Sequence, residues 1–167
     1  MTQPIYDVLT PDAVLFGEGL YREATDHVIG LAKHELLIFD HDLGRGDHAS
    51  SRRFAQLQDF LSRAPGNRLT IVLHETADFA SRYPRLFGLL KIYGHAMTVY
   101  QTNDQAKVAR DSFIVADRQH YLWRFHADQP RFRYASDDAE TVHMLCQRFD
   151  ELLEATTHTV ATHSLGL

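Results

Sequence analysis

The chain has 167 residues, 44% of them hydrophobic, with a formal net charge of −5 and a pI near 6.1. This length and apolar content are enough for one domain with a buried core, and no linker-like stretch divides residues 1–167. The acidic balance excludes broad electrostatic capture of DNA or RNA, which requires a dense basic surface. We therefore do not expect a nucleic-acid partner.

The sequence contains no run of about 18 apolar residues and no basic-then-apolar amino terminus. It predicts neither a membrane span nor a secretory signal, so we expect a cytoplasmic protein. The single cysteine, Cys146, has no internal disulfide partner. Its apolar helical position predicts a packing role in a reducing compartment.

Residues 1–18 mix proline, glycine and scattered hydrophobic residues, which predicts an irregular arm. The apolar spacing from Leu20 to Lys33 indicates a helix, and the apolar run Leu36–Phe39 indicates a strand buried on both faces. A polar loop follows at residues 40–50. Ser50 or Ser51 is then a suitable cap for a second helix.

A second buried strand is predicted at Leu69–Leu73, after the helix ends near Pro65. Strand, helix and strand at this spacing form a parallel crossover unit, because a hairpin would not need some thirty residues to reverse. The predicted fold class is therefore α/β, with a mixed, mainly parallel central sheet flanked by helices.

The remaining elements are a helix starting at Pro84, a strand at His95–Thr102, a short strand at Arg131–Ala135 and a long final helix. Asp137 is the predicted amino-terminal cap of that helix. The polar tail, residues 157–167, is expected to be partly loose. Between these elements lie two apolar runs, Phe113–Ala116 and Tyr121–Trp123, which a polar turn at residues 117–119 joins into a hairpin.

This hairpin resembles the catalytic strand of a phospholipase D-like half-domain, whose motif is His-x-Lys-x4-Asp. Arg110 occupies the histidine position and Ser112 the lysine position, so only Asp117 is retained. In that family the histidine is the nucleophile and the lysine binds phosphate oxygens. The resemblance therefore implies the fold of the half-domain without its phosphodiesterase chemistry.

The wider order of elements resembles a bacterial phospholipase D-like domain of uncharacterised function that often follows an acetyltransferase domain. The matching segments are Leu37–Leu43, Leu69–Leu73, Phe113–Arg118, Tyr121–Arg124 and Arg148–Leu153. None of them is a catalytic signature. The resemblance implies a possible acetyltransferase partner.

Our leading interpretation is a catalytically silent module that binds an anionic ligand, bearing phosphate or carboxylate, or a protein partner. The candidate ligand-binding residues are Arg110, Ser112, Asp117 and Arg124. Arg110 and Arg124 are predicted to face one cleft, where a guanidinium suits phosphate or carboxylate. The alternative is that the arginines pair with acidic residues on a solvated surface. No cofactor or metal is predicted.

An enzymatic alternative is a small magnesium-dependent phosphohydrolase of the haloacid-dehalogenase type. Asp40-His41-Asp42 resembles its Asp-x-Asp motif, and Thr76, Lys91 and Asp117 follow in the appropriate order. Asp40 would attack phosphorus, Asp42 would act as general acid, and Asp40 with Asp117 would bind Mg²⁺. Against this, no second acidic residue follows Asp117 at the family's spacing.

The chain has 11 histidines, but no pair shows metal-ligand spacing on one helix face. The polar loop after the first buried strand offers another possibility. Asp40, Asp42, Asp47 and His48 would gather around a cation, or would form an ordinary solvated turn.

Phospholipase D-like proteins place two half-domains side by side, and this chain contains one half. We therefore expect a homodimer, formed through apolar surface near four aromatic residues, Phe113, Tyr121, Trp123 and Phe125. If the arm or the tail covers this surface, the protein is a monomer.

Overall fold

The structure is a computed structural model that describes residues 6–162. Its strands are β1 (Leu15–Phe16), β2 (Glu35–Asp40), β3 (Arg68–Leu73), β4 (Met97–Thr102), β5 (Ser112–Ala116), β6 (His120–His126), β7 (Gln129–Ser136) and β8 (Thr156–Thr159). Its helices are α1 (Glu18–Leu31), α2 (Ser51–Arg63), α3 (Phe79–Arg82), α4 (Pro84–Ile92) and α5 (Ala139–Glu154), with a 3₁₀ turn at Gln105–Val108. The strands form one sheet in the order β1-β7-β6-β5-β2-β3-β4-β8.

β2 is the clearest case of a strand shaped by burial on both faces. Leu36 and Ile38 pack into the core under α1, α2 and α4, whereas Leu37 and Phe39 pack into the core under α5. All four side chains are at most 4% exposed. An uninterrupted apolar run is thus required here, since alternating polar residues would be buried without partners.

The final helix covers the opposite face of the sheet from α1, α2 and α4. Val142, Leu145, Cys146 and Phe149 form its buried stripe. Their spacing of i, i+3, i+4 and i+7 keeps one side of an α-helix on the core. The sheet is therefore flanked by helices on both faces, as predicted, and Cys146 lies in the core.

The balance of strand directions corrects one part of the prediction. β2–β3 and β3–β4 are parallel, as the crossover argument required. The other five pairings within residues 6–162 are antiparallel. The sheet is mixed but not mainly parallel, because the two hairpins that follow β4 supply three neighbouring strands of alternating direction.

The predicted hairpin is confirmed as β5 and β6, with Ala116 opposite His120. Asp117 and Arg118, in the connecting turn, take positive φ values of 55° and 52°. This backbone region is unfavourable for residues other than glycine. Tertiary contacts must therefore hold the turn, and Asp117 supplies three of them, as described below.

Both ends of the chain are more regular than predicted. Leu15 and Phe16, inside the predicted arm, form β1 against β7. Thr156–Thr159, overlapping the predicted tail, form β8 against β4. Free backbone groups on the outer strands favour such pairing. Residues 1–5 and 163–167 lie outside the described range.

The apolar surface on which a dimer was predicted is largely absent. Phe113 and Tyr121 are at most 1% exposed because α5 covers them. Trp123 and Phe125 remain half-buried on the same face, with their ring centres 5.0 Å apart. No helix in the described part of the chain is both long and apolar enough to cross a membrane.

Candidate functional site

One edge of the sheet collects the polar residues of several strands. β2 and β3 are parallel and end at this edge, and antiparallel β5 begins there. β6 runs against β5 and so ends at the same edge. The loop after β2, the segment before β5 and the β6–β7 turn therefore meet in space.

These segments enclose a cavity of about 290 Å³, which we call the Arg110 cavity. It is lined by His41, His74, Lys107, Ala109, Arg110, Asp111, His126, Ala127 and Asp128. Three histidines, one lysine and one arginine contribute to this lining, together with two aspartates. Its chemistry depends on which of these side chains are already engaged within the protein.

Arg110 is the freest cation of the cavity. Its side chain is exposed and forms no ion pair or hydrogen bond with any residue between 6 and 162. Its position is held through the backbone, where the Ala127 N–H donates to the Arg110 carbonyl at 2.7 Å. A guanidinium so placed has all its donors available to an anion.

His74 has a structural role in the cavity wall. Its Nε2 lies 2.7 Å from the carbonyl oxygen of Ala109, so this nitrogen donates, and Nδ1 lies 2.7 Å from the Thr102 hydroxyl. Burial lowers the pKa of His74. The neutral ring thus accepts from Thr102, donates to Ala109, and ties the end of β3 to the segment before β5.

His126 and Lys107 add donors around Arg110. The Asp128 N–H donates to His126 Nδ1 at 3.2 Å, which leaves Nε2 as the protonated nitrogen of a neutral ring. The Lys107 ammonium lies 3.6 Å from Glu75 and 3.5 Å from Asp104, both at the surface. Each of the two side chains can donate to a ligand oxygen.

Asp111 would oppose an anion if its charge were free. Both of its oxygens accept hydrogen bonds from Arg148, and Oδ2 also accepts from Trp123 Nε1 at 2.8 Å. This bidentate ion pair with Arg148 offsets the negative charge of Asp111 at the cavity wall. Of the two aspartates in the lining, Asp111 is thus offset by Arg148, whereas the exposed Asp128 carboxylate has no ion pair within residues 6–162.

Two of the four predicted ligand-binding residues are buried away from this cavity. Ser112 and Arg124 are opposite each other in the β5–β6 ladder and are 2% and 1% exposed. Arg124 Nη1 lies 2.6 Å from Glu18 of α1, and its guanidinium stacks 4.7 Å from the ring centre of Tyr21. The prediction that Arg110 and Arg124 face one cleft is therefore wrong, because α1 covers Arg124.

Asp117 lies at the opposite end of β5 from Arg110. Its carboxylate accepts from the backbone N–H groups of Lys33, His34 and Glu35 at 2.7–2.9 Å. Burial opposes ionisation, but these three hydrogen bonds leave the pKa below its ordinary value. Asp117 anchors the connection between α1 and β2 and cannot share a ligand with Arg110.

The phosphohydrolase alternative is not supported by this arrangement. Asp40 ends β2 and Asp117 lies beside its start, roughly 16 Å away for five steps along a strand, so the two cannot share one Mg²⁺. Asp42 pairs with Arg82 at 3.1 Å. Thr76 donates to Gln101, and Lys91 lies over the ring of Phe87 on α4.

The proposed cation loop is built differently from a metal site. Arg53, fully buried, donates to the Gly46 carbonyl at 2.7 Å and pairs with Asp26 at 2.8 Å. Burial, and then the neighbouring Arg53 charge, lower the pKa of His48 to about 3. Within residues 6–162 no group of three or more His, Cys, Asp or Glu side chains is arranged to hold a metal ion.

Sequence reasoning found Arg110 through its place in a motif but missed the residues around it. Lys107 lies in the 3₁₀ turn before β5, whereas His126 and Asp128 lie at the β6–β7 turn, and neither segment has a recognisable pattern. Only the antiparallel order of β5, β6 and β7 brings these segments together. The sole sequence signal was that polar residues follow the ends of successive strands.

Solved structures with the same fold include phospholipase D family proteins. Nuc from Salmonella typhimurium, a phospholipase D family member, superposes with a TM-score of 0.62 at 12% identity, covering 87% of this chain and 96% of its own. NucT from Helicobacter pylori gives 0.58 at 12% identity with the same coverage. The chain therefore has a phospholipase D-like fold.

The archaeal chromatin protein TrmBL2, described as having a novel mode of DNA binding, gives a TM-score of 0.64 at 13% identity. The match covers 86% of this chain, which spans about half (52%) of TrmBL2. A search of curated proteins gave no match. Residues 19–165 match the family described as "Domain of unknown function (DUF7931)", and the chain belongs to that family.

Proposed function

We propose that this protein is a phospholipase D-like module that binds a phosphate-bearing ligand in the Arg110 cavity and does not hydrolyse phosphodiesters. The observation that carries this proposal is the Arg110 guanidinium, which has no partner among residues 6–162 and stands at the position of the nucleophilic histidine of phospholipase D-like proteins. A guanidinium remains protonated at all physiological pH values, so it binds oxyanions and does not attack them.

The neighbouring position supports the loss of catalysis. Ser112 replaces the lysine that would bind phosphate oxygens, and it is buried with Arg124 under α1. Arg124 is a cation, but Glu18 already pairs with it. A phosphate in the Arg110 cavity would therefore meet donors from Arg110, Lys107 and His126 Nε2, beside the Asp128 carboxylate.

Binding and hydrolysis are tested separately on the full chain. Isothermal titration with inorganic phosphate should show binding that Arg110→Gln weakens by about tenfold or more, the loss expected for a charge-assisted contact. Arg22→Gln is the matched control, because Arg22 is exposed on α1 and forms no ion pair within the described residues. An equal effect of both substitutions would contradict the proposal.

Hydrolysis is assayed with bis-p-nitrophenyl phosphate and p-nitrophenyl phosphate, each with and without Mg²⁺. We expect no turnover above that of a heat-treated sample. Robust turnover that Arg110→Gln abolishes would show a catalytic site. Magnesium-dependent turnover abolished by Asp40→Asn would restore the phosphohydrolase alternative.

Association with an acetyltransferase rests on the family resemblance alone. We propose it as a second use of the module, to be tested by co-purification of this chain with a candidate acetyltransferase. Retention of complex formation by Arg110→Gln would separate protein binding from anion binding.

A further inference from the structure

A second cavity of about 160 Å³ adjoins the Arg110 cavity. The two share His41, Ala127 and Asp128 in their linings, so they lie side by side, and we call the two together the groove. The second part is lined in addition by Asp40, Asp42, Gly44, Arg45 and Arg82. We call it the Asp40 cavity. The Arg110 cavity alone is near the lower limit of small-molecule sites, which begin at roughly 300 Å³, so the groove has room for more than a phosphate group.

Asp40 is the unusual group of this second part. It is 5% exposed, and its Oδ1 accepts from the His41 N–H at 2.6 Å. The other oxygen has no hydrogen-bond donor among residues 6–162. A buried carboxyl that lines a cavity with one oxygen unpartnered needs a donor from a ligand or water.

The protonation of Asp40 widens what it can bind. Burial and the nearby Asp42 charge raise its pKa to about 7, although the His41 N–H and two arginines oppose the change. Near neutral pH the carboxyl is therefore present both as an acid that donates and as a carboxylate that accepts. A ligand hydroxyl has the same dual capacity.

The remaining lining also mixes acceptors and donors. Asp128 is exposed, and its carboxylate has no ion pair in the described part of the chain. Arg45 and Arg82 each pair with one acid, Glu18 at 3.8 Å and Asp42 at 3.1 Å. A small cavity lined by both donors and acceptors is better suited to a ligand with neighbouring hydroxyls, which donate and accept, than to a ligand with an apolar chain.

We infer that the ligand is a phosphate ester of a polyol, with its phosphate in the Arg110 cavity and its hydroxyls in the Asp40 cavity. This inference rests on the proposed function, since it extends the same groove. Asp128, shared by the two cavities, is placed to accept from the hydroxyl nearest the phosphate.

Three probes test this inference by isothermal titration: inorganic phosphate, ribose 5-phosphate and pentyl phosphate, which has five carbons and no hydroxyl. We expect ribose 5-phosphate to bind about tenfold more tightly than pentyl phosphate, the factor of one hydrogen bond to a charged group. Asp128→Ala should remove most of this difference, and it should tighten the binding of inorganic phosphate, because it takes an unpaired negative charge out of the lining that the two cavities share. Asp150→Ala, at an exposed position of α5, is the matched control.

The outcomes separate the two proposals. Equal affinity for ribose 5-phosphate and pentyl phosphate, or no effect of Asp128→Ala, overturns the polyol inference while Arg110-dependent phosphate binding stands. No phosphate binding, or binding that Arg110→Gln leaves unchanged, overturns the proposed function itself. Circular dichroism and melting temperature confirm that each variant is folded, and Asp128 is exposed, so we expect its variant to fold.

Discussion

Glu18 and Arg124 form an ion pair at 2.6 Å between the first turn of α1 and the end of β6. Arg124 is 1% exposed, whereas the Glu18 side chain is about half exposed. The guanidinium also lies over the ring of Tyr21, three residues after Glu18 on the same helix. The pair thus fixes α1 over the strand positions that would carry phospholipase D chemistry.

The first prediction concerns this pair. Glu18→Gln should lower the free energy of unfolding by about 2–3 kcal/mol, because it leaves a buried cation without its carboxylate. Glu23→Gln, at an exposed position of the same helix without an ion pair in the described range, should have almost no effect. Urea unfolding at pH 7 measures both, and equal losses would show that the pair adds nothing.

The second prediction concerns Asp117, whose carboxylate accepts three backbone N–H groups. Asp117→Asn should cost about 2 kcal/mol at pH 7, because an amide oxygen accepts fewer and weaker hydrogen bonds. It should leave phosphate binding unchanged, since Asp117 is at the far end of β5. Reduced phosphate affinity in a folded variant would contradict this placement.

The direction in which the pKa of Asp117 is shifted also predicts how the stability of this variant depends on pH. The pKa of Asp117 is lower in the folded protein than its ordinary value of 3.8. Its contribution to stability is therefore complete above pH 3.8 and is lost as pH falls through the lower folded value. Urea unfolding of wild type and Asp117→Asn should converge as pH is lowered below about 4.

Much of the fold was predictable because burial and turn chemistry are local signals. The apolar run in β2, the crossover to β3 and the β5–β6 hairpin were all correctly predicted. Helix ends were less certain. Asp138, not Asp137, caps α5 by accepting from the Thr141 N–H at 3.2 Å, because Asp137 is in the left-handed region at φ 63°.

The candidate site was less predictable because it depends on side-chain direction and strand order. The motif aligned Arg110, Ser112 and Asp117 in sequence, but it could not show that α1 buries Ser112 or that Asp117 faces the other end of the sheet. The dependence on strand order also explains why the sheet was wrongly predicted to be mainly parallel. Direction could be inferred for the crossover, whereas the neighbours of β5 and β8 are decided by long-range pairing.

A third prediction concerns assembly. We propose a homodimer, although α5 covers Phe113 and Tyr121. The remaining apolar surface consists of Trp123 and Phe125, which are half-buried, and Phe16, which is 56% exposed. The rings of Trp123 and Phe125 contact each other, and the Arg131 guanidinium lies over the rings of Phe16 and Phe125. Light scattering should give twice the chain mass, and Trp123→Glu should return the monomer. A mass near 19.1 kDa for the wild type at tens of micromolar protein would exclude the dimer.

The last prediction uses the ion pair between Asp111 and Arg148. Arg148→Met should release the Asp111 charge at the wall of the Arg110 cavity and weaken phosphate binding about three- to tenfold, through repulsion at short range. The double variant Arg148→Met with Asp111→Asn should recover the affinity, because the carboxylate is gone. Arg133→Met, at a position outside the cavity lining, is the matched control.

Trp123 provides a direct observation of the same coupling. It is the only tryptophan of the chain, and its Nε1 donates to Asp111 at 2.8 Å. Phosphate bound beside Asp111 should change the electrostatic field at the Trp123 ring, and therefore its emission, in the wild type. We expect no such change in the Asp111→Asn variant, where the charged acceptor is absent. Two results would contradict the electrostatic explanation: an equal change of emission in both proteins, or a double variant that binds phosphate as weakly as Arg148→Met alone. In either case the loss of affinity comes from altered packing of α5.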